Sequence, residues 1–411
     1  MKRDVDALLR EQELDGLVVL GPGGHNPSLV YLLGQPAHLT DAWVVKKPDQ
    51  MPVLYHWPME RDEAARVGVP TRDLTPFSRR RFLDAAQGDP FRAQVLQTLA
   101  LLDDAGLGRG RIAVTGRVEL GPHLSLWQAV QAERPGLRVE GRLAQQILRT
   151  ARTTKDADEV ARIRRMGALT VEVVGRVMDR LRGLRAGSDG LVVDAAGEVV
   201  TIGQVKAWVR RWVAELNAEL PLAVIFAQGY DAGVPHSTGD DMAALRVGVP
   251  IVFDLFPQEA GGGYFYDFTR TWSLGYASER VQALHAQVEE AYRAALKVLR
   301  AGHAAETPYL AACEVLEGYG HPTPRTRPGT QEGFVHSLGH GLGLDIHEMP
   351  RLAAGQRDPL LPGMVVTVEP GLYYPRDEIG IRIEDTVWID GAGQPQVLAD
   401  FPHDLVLPLR G

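Results

Sequence analysis

Cysteine is nearly absent from this chain: Cys313 is the only one among 411 residues. No intrachain disulfide can form, so the fold must hold without covalent cross-links between cysteines. Cys313 sits in an amphipathic stretch with Tyr309, Leu310 and Leu316, which assigns it to the core rather than to nucleophilic chemistry. Long apolar runs are also missing. Nowhere do 18 uninterrupted apolar residues occur, so no segment has the make-up of a membrane-spanning helix. The opening M-K-R-D-V-D-A-L-L-R-E-Q-E lacks the apolar centre of a secretory signal. Charge of one sign is never concentrated. The net charge of −8 is dispersed, and the basic run R-R-R at 79–81 is short enough to be a solvated surface. These absences predict a cytoplasmic protein with neither a nucleic-acid nor a membrane partner.

What is present is an ordinary globular composition, 45% hydrophobic and 23% charged, in a chain long enough for two domains. The first part alternates helix and strand signals. Strands are predicted at D-G-L-V-V-L-G, A-W-V-V, P-V-L-Y-H-W and R-I-A-V-T, with helices across 90–105 and within 123–133. This is an α/β domain, 1–154. The polar stretch 149–159 marks the boundary, because its acidic K-D-A-D-E opens an apolar 3.6-period helix from Val160 to Leu181. The second domain, 155–411, continues with a loop or small hairpin over 183–202 and a helix from Val205 to Leu220 that uses Trp208 and Trp212 as core anchors. Helices at Glu279–Leu299 and Pro308–Tyr319 follow. A helix pair precedes each of two carboxylate-bearing hairpins, an order that suggests an internally duplicated α+β domain with a pseudo-twofold relation.

Those hairpins hold the chemistry. The run G-V-P-I-V-F-D-L-F, the turn residues P-Q-E-A-G-G-G, and Y-F-Y-D-F-T-R-T-W form one hairpin signature. A turn centred between Ala260 and Gly261 places Asp254 opposite Asp267. V-V-T-V-E and I-R-I-E-D-T-V-W-I flank P-R-D-E-I-G, and a turn centred between Arg376 and Asp377 places Glu369 opposite Glu384. Facing residues have Cβ atoms about 4.5–5.5 Å apart, and like charges there repel unless a cation lies between them. His340, in H-S-L-G-H-G-L-G-L-D-I-H-E, lies between the pairs in sequence. Four carboxylates and one imidazole suit two adjacent divalent ions on one sheet face. Two ions about 3.5–4 Å apart generate a nucleophilic hydroxide and polarise a carbonyl, which is the chemistry of hydrolysis.

The motifs V-F-D-L…Y-D-F-T-R-T, H-S-L-G-H-G-L-G-L-D-I-H-E, M-V-V-T-V-E-P-G-L-Y and I-R-I-E-D-T-V resemble those of the pita-bread metallopeptidases. Within that family they are similar to the proline-specific branch of prolidase and aminopeptidase P, and D-G-L-V-V-L…N-P-S-L-V-Y-L-L-G resembles its creatinase-like N-terminal domain. The resemblance implies metal ligands at Asp254, Asp267, His340, Glu369 and Glu384, holding two Mn²⁺ or Co²⁺ ions, with Zn²⁺ as a further choice. It implies that His236, in V-P-H-S, meets the substrate, that His347 stabilises the tetrahedral intermediate, and that His336 occupies a supporting or gating position. Glu369 becomes the proton shuttle. Thr269 and Arg382, each two residues from a ligand on the same strand face, are placed to hold the carboxylates. Two departures stand out. Asp254-Leu255-Phe256 replaces the usual D-x-G, and the aspartates are 13 apart rather than 11, an even change that keeps both on one face.

The implied activity is hydrolysis of Xaa-Pro bonds in small peptides by a homodimer. Arg351, in H-E-M-P-R, resembles the arginine that binds the free carboxylate in some prolidases, which favours a dipeptidase over an aminopeptidase P acting on longer peptides. Methionine aminopeptidase fits poorly with the long N-terminal domain and the E-D-T-V ending. A metal-free hydrolase or a non-catalytic binding protein on the same fold would be expected to lack some of the five ligands, and all five are present.

Overall fold

The computed structural model describes residues 4–410, which divide into two compact units. The first runs to Arg152 and includes Ala260–Gly263; the second comprises Thr153–Glu259 and Tyr264 onward. In the first unit β1 (Gly16–Gly21), β2 (Ala42–Lys46), β3 (Val53–His56), β4 (Thr71–Asp73), β5 (Gly110–Gly116) and β6 (Leu137–Glu140) form one sheet in the order β4-β3-β2-β1-β5-β6. Only β2 runs against its neighbours; the other five strands are parallel. All six residues of β1 are buried, as expected of a continuous apolar strand covered on both faces. The helix Pro90–Asp104 starts where Asp89 accepts from the N–H groups of Phe91 and Arg92, with proline at its first position.

Three elements of this unit carried weak sequence signals. β4 is polar and exposed, and β6 is four residues long. The helix Gly141–Thr153 runs into the stretch expected to be a polar boundary, because Ile147, Leu148 and Ala151 form a buried stripe between its arginines.

The second unit opens with the helix Ala157–Arg182, whose start is a reciprocal cap between Asp156 and Glu159. A small hairpin pairs Arg185–Ala186 with Val192–Val193. The helix Ile202–Glu215 follows, capped by Thr201 and Gln204. It ends five residues before the expected Leu220, because Asn217 turns at φ 54° and Ala218–Glu219 pairs as a strand with Gln258–Glu259. Trp208 and Trp212 are not core anchors. Both are half-buried, with ring centroids 6.5 Å apart and the Arg180 guanidinium over Trp208. Helices Glu279–Val298 and Thr307–Gly318 pack on strands through Val288, Cys313, Leu316, Val366 and Ile381. Cys313 is fully buried, and burial raises its thiol pKa to about 11, which leaves it unreactive.

The two carboxylate hairpins do not share one continuous sheet, as the sequence suggested. Ile225–Gln228, Pro250–Leu255, Phe268–Leu274 and Val406–Leu407 form one sheet. A second contains Glu348–Leu352, Gly339–Gly341, Val365–Val368, Asp385–Ile389 and Pro395–Val397. The ribbon Gly371–Tyr374 with Ile379–Arg382 is separate, and a bridge between Thr269 and Glu384 links the two sheets. Among the described residues, no helix is long and apolar enough to cross a membrane.

Candidate metal centre

The first hairpin has a different register from the one its turn residues suggested. Asp254 faces Thr269, not Asp267. The twelve residues between Leu255 and Phe268 do not make a simple turn, since Gln258–Glu259 leaves sideways to pair with Ala218–Glu219. The ladder therefore closes two residues later. An even shift keeps Asp254 and Asp267 on one face as diagonal rather than direct neighbours.

The second hairpin keeps the expected register. Val368 faces Asp385 and Gly371 faces Arg382, so Glu369 lies opposite Glu384 where the ladder breaks. Pro370 has no N–H to continue it. The freed groups bond elsewhere: the Glu369 N–H donates to Leu338 O at 2.8 Å and the Glu384 N–H to Thr269 O at 3.0 Å. Asp254, Thr269, Glu384 and Glu369 thus form one row across successive strands. His340 joins from Gly339–Gly341, with its N–H donating to Thr367 Oγ1 at 3.1 Å.

The result is a tight cluster. Donor atoms of Asp267, His340 and Glu384 lie within 4.8 Å of one another. His340 Nε2 is 3.5 Å from both Asp267 Oδ2 and Glu369 Oε1. Its Nδ1 lies 3.0 Å from Gly341 O, which assigns the proton to Nδ1 and leaves the Nε2 lone pair facing the carboxylates. Burial, then the nearby His347, lowers the His340 pKa to about 3, so the ring is neutral.

The carboxylates show the opposite strain. Burial raises the pKa of Asp254, and that of Glu369 to about 8. Burial followed by repulsion from Asp254 and Glu369 lifts Asp267 well above its ordinary value; burial and Asp267 do the same to Glu384. Oδ1 of Asp254 and Oδ1 of Asp267 are buried without a hydrogen-bond partner. Orphaned acceptors beside crowded carboxyls are what a site for divalent cations presents. The donor set fits such ions.

Arg382 and Thr269 support these groups from below. Arg382 Nη2 donates to Asp254 Oδ2 at 2.5 Å, and Thr269 Oγ1 to Glu384 Oε2 at 2.6 Å. Arg382 Nε also reaches Thr269 Oγ1 at 3.2 Å. Tyr373, Thr367 and Thr386 were not singled out in the sequence. The Tyr373 hydroxyl links His336 Nε2 at 2.9 Å to Arg382 Nη1 at 3.0 Å. Thr367 Oγ1 lies 3.4 Å from Glu369 Oε1, and Thr386 Oγ1 donates to Asp267 O. The alternation that drew attention to Thr269 and Arg382 would have found Thr367, two residues before Glu369.

A cavity of about 760 Å³ gathers all five candidate ligands with His236, His336, His347, Arg351 and Arg382. Thr269 is beneath its wall. His236 and His347 are exposed, and the His347 ring meets His340 edge-on at 4.4 Å between centroids. His336 is held at both nitrogens, by Ser337 O at 2.7 Å and by Tyr373, and burial lowers its pKa to about 4. Arg351 is exposed on the strand that faces His340. Leu222, Ile225, Phe256 and Ile346 supply an apolar side.

Comparison with known proteins places the chain in a family. Residues 161–391 match the model of metallopeptidase family M24, a span that includes every site residue named above. The chain is 33% identical over 265 residues to a probable dipeptidase PepE of Mycobacterium tuberculosis, covering 64% of this chain and 63% of that protein. It is 35% identical over 206 residues to an Xaa-Pro dipeptidase of Pyrococcus furiosus, covering 49% and 56%. The matches thus span less than two thirds of these curated relatives. Among solved structures, a prolidase from Pyrococcus horikoshii superposes with a TM-score of 0.74 at 21% identity, covering 98% of this chain and 99% of that one. Dipeptidase PepE from Mycobacterium ulcerans gives 0.73 at 29% identity, covering 99% and 97%. The fold is therefore the pita-bread fold of those neighbours, and the chain belongs to metallopeptidase family M24.

Proposed function

We propose that this protein is a dinuclear-metal Xaa-Pro dipeptidase. The observation that carries the reading is the pair of orphaned aspartate oxygens among four crowded carboxyls and a neutral imidazole, all on one cavity. Relatives named Xaa-Pro dipeptidase support the substrate class. In this reading 1–154 is a creatinase-like domain and 155–411 a duplicated pita-bread domain. The enzyme works as a cytoplasmic homodimer.

Asp254, Asp267, His340, Glu369 and Glu384 would hold two divalent ions, Mn²⁺ or Co²⁺ before Zn²⁺. Bound there, such ions would supply a nucleophilic water of lowered pKa and polarise the scissile carbonyl. Glu369 takes the proton of the attacking water and delivers it to the proline nitrogen. A neutral His347 retains one N–H with which to meet the developing oxyanion. His236 contacts the peptide from the open side. His336 acts through Tyr373 and Arg382, which hold Asp254. Arg351 binds the free carboxylate after proline, for which a planar guanidinium is well shaped.

Aminopeptidase P is the second reading, favoured by the exposure of Arg351, which leaves that end of the cavity open to a longer peptide. Ala-Pro and Ala-Pro-Ala separate the two. A dipeptidase cleaves the first far faster, and Arg351→Ala should cost about 10- to 150-fold in kcat/KM on the dipeptide alone. Vigorous cleavage of Ala-Pro-Ala would reassign the protein to the aminopeptidases. Chelation should abolish turnover and Mn²⁺ or Co²⁺ restore it, with Asp267→Asn failing to retain metal. Full turnover in protein shown by elemental analysis to be metal-free would refute the dinuclear mechanism.

A further inference from the structure

A second cavity, of about 350 Å³, is lined only by residues of the first unit and shares none with the site described above. Its position follows from the topology. The parallel strands β1, β3 and β4 end on the same side of the sheet, at Leu20–Gly21, His56 and Asp73, and antiparallel β2 begins there at Ala42. Leu20, Asp41, Trp43, Trp57 and Leu74 line the cavity at those ends. The crevice beyond the carboxyl ends of strands is where open α/β sheets bind ligands.

Several polar groups in and beside it lack partners. Asp41 and Arg79 make no hydrogen bond or ion pair among the described residues, although both face the cavity. Nδ1 of His123 is buried without a partner, and so is Oε2 of neighbouring Glu60, whose other oxygen accepts from the Thr40 N–H at 2.6 Å. Burial, with repulsion from Glu60, raises the Asp41 pKa, while His123 and Arg79 act against it. Buried polar atoms without a partner are uncommon, and these two lie beside an exposed carboxylate and an exposed guanidinium that are left free for a ligand. The apolar walls are aromatic. Trp43 packs on the core and on Trp127, 6.1 Å between centroids, and Trp57 packs on the same core. Both indoles are half-buried and set before any ligand arrives.

We propose that this cavity binds a small zwitterion, an amino acid or a molecule of similar size with an ammonium group, a carboxylate and an apolar side chain. The ammonium is the cation that Asp41 lacks, and indole faces add to its attraction. Arg79 takes the carboxylate, and the side chain lies between Trp43 and Trp57. The site is independent of the peptidase reaction.

Three probes dissect it on the metal-free full chain, read by tryptophan fluorescence and thermal shift. These are L-phenylalanine, phenethylamine (ammonium only) and 3-phenylpropionate (carboxylate only). Phenylalanine should bind best, phenethylamine less well and phenylpropionate least. Asp41→Asn should weaken phenylalanine and phenethylamine by about tenfold or more, whereas Arg79→Gln should remove the advantage of phenylalanine over phenethylamine. Both substitutions are at exposed positions, so the variants should melt like wild type. If no probe gives a response at millimolar concentration, if phenylpropionate binds as well as phenylalanine, or if Asp41→Asn leaves binding intact, the proposal is overturned.

Discussion

His336 and His347 come from one short motif, yet their surroundings differ sharply. His336 has both nitrogens engaged, by Ser337 and Tyr373, so it has no free edge for a substrate. His347 is exposed on the cavity, and among the described residues no hydrogen bond holds its ring. His347→Ala should therefore lower kcat far more than it raises KM, by about 10²–10³ if it serves as an oxyanion donor. His336→Ala should do less, and Tyr373→Phe should resemble it, since both act through Arg382 on Asp254. Steady-state kinetics on Ala-Pro checks the order. A larger loss from His336→Ala would mean the two roles are exchanged.

Among the elements, the strand Gly339–Gly341 is confined on both sides. It pairs on one side with Glu348–Leu352 and on the other with Val365–Val368, and its middle residue is His340. A Cβ at Gly339 would run into the Thr367 carbonyl, and one at Gly341 into that of Met349. The glycines are there because backbone passes close to backbone. Gly339→Ala should force the strand away from Thr367, the residue whose hydroxyl holds His340. We expect weaker Mn²⁺ retention by elemental analysis together with a lower melting temperature. Unchanged metal content would show that the imidazole does not depend on this spacing.

For the whole molecule, pH acts on stability through buried titratable groups, and His285 is one that is not a candidate ligand. His285, on the helix Glu279–Val298, is 7% exposed, and burial lowers its pKa from 6.5 to about 4. Glu289 and Asp404 favour its charged form, while His403 and Arg270 oppose it. The unfolded chain takes up this proton first. Stability from His285 is therefore complete above pH 6.5 and declines as the pH falls toward 4, by at most about 1.4 kcal/mol per pH unit. Urea denaturation of wild type and His285→Leu should show a shallower decline in the variant across that window. Parallel curves would mean that His285 is not kept neutral by the fold.

The sequence by itself singled out the groups that one cavity brings together and determined how one hairpin is registered. Apolar alternation on either side of P-R-D-E-I-G leaves a single pairing that buries the right face, and that pairing sets Glu369 against Glu384. The fold class was legible for the same reason, since buried parallel strands and capped helices write their periods into the chain. Tertiary structure decided the rest. Asp254 meets Thr269 instead of Asp267 because Gln258–Glu259 is drawn off to pair with Ala218–Glu219, a strand forty residues away in sequence that no local pattern announces. The same early strand ended the helix at Glu215, and Tyr373 became the link between His336 and Arg382 only once the ribbon it shares with Arg382 came to rest against the segment that carries His336. Local spacing constrains neighbours along one ladder, whereas contacts between ladders depend on where whole sheets come to rest.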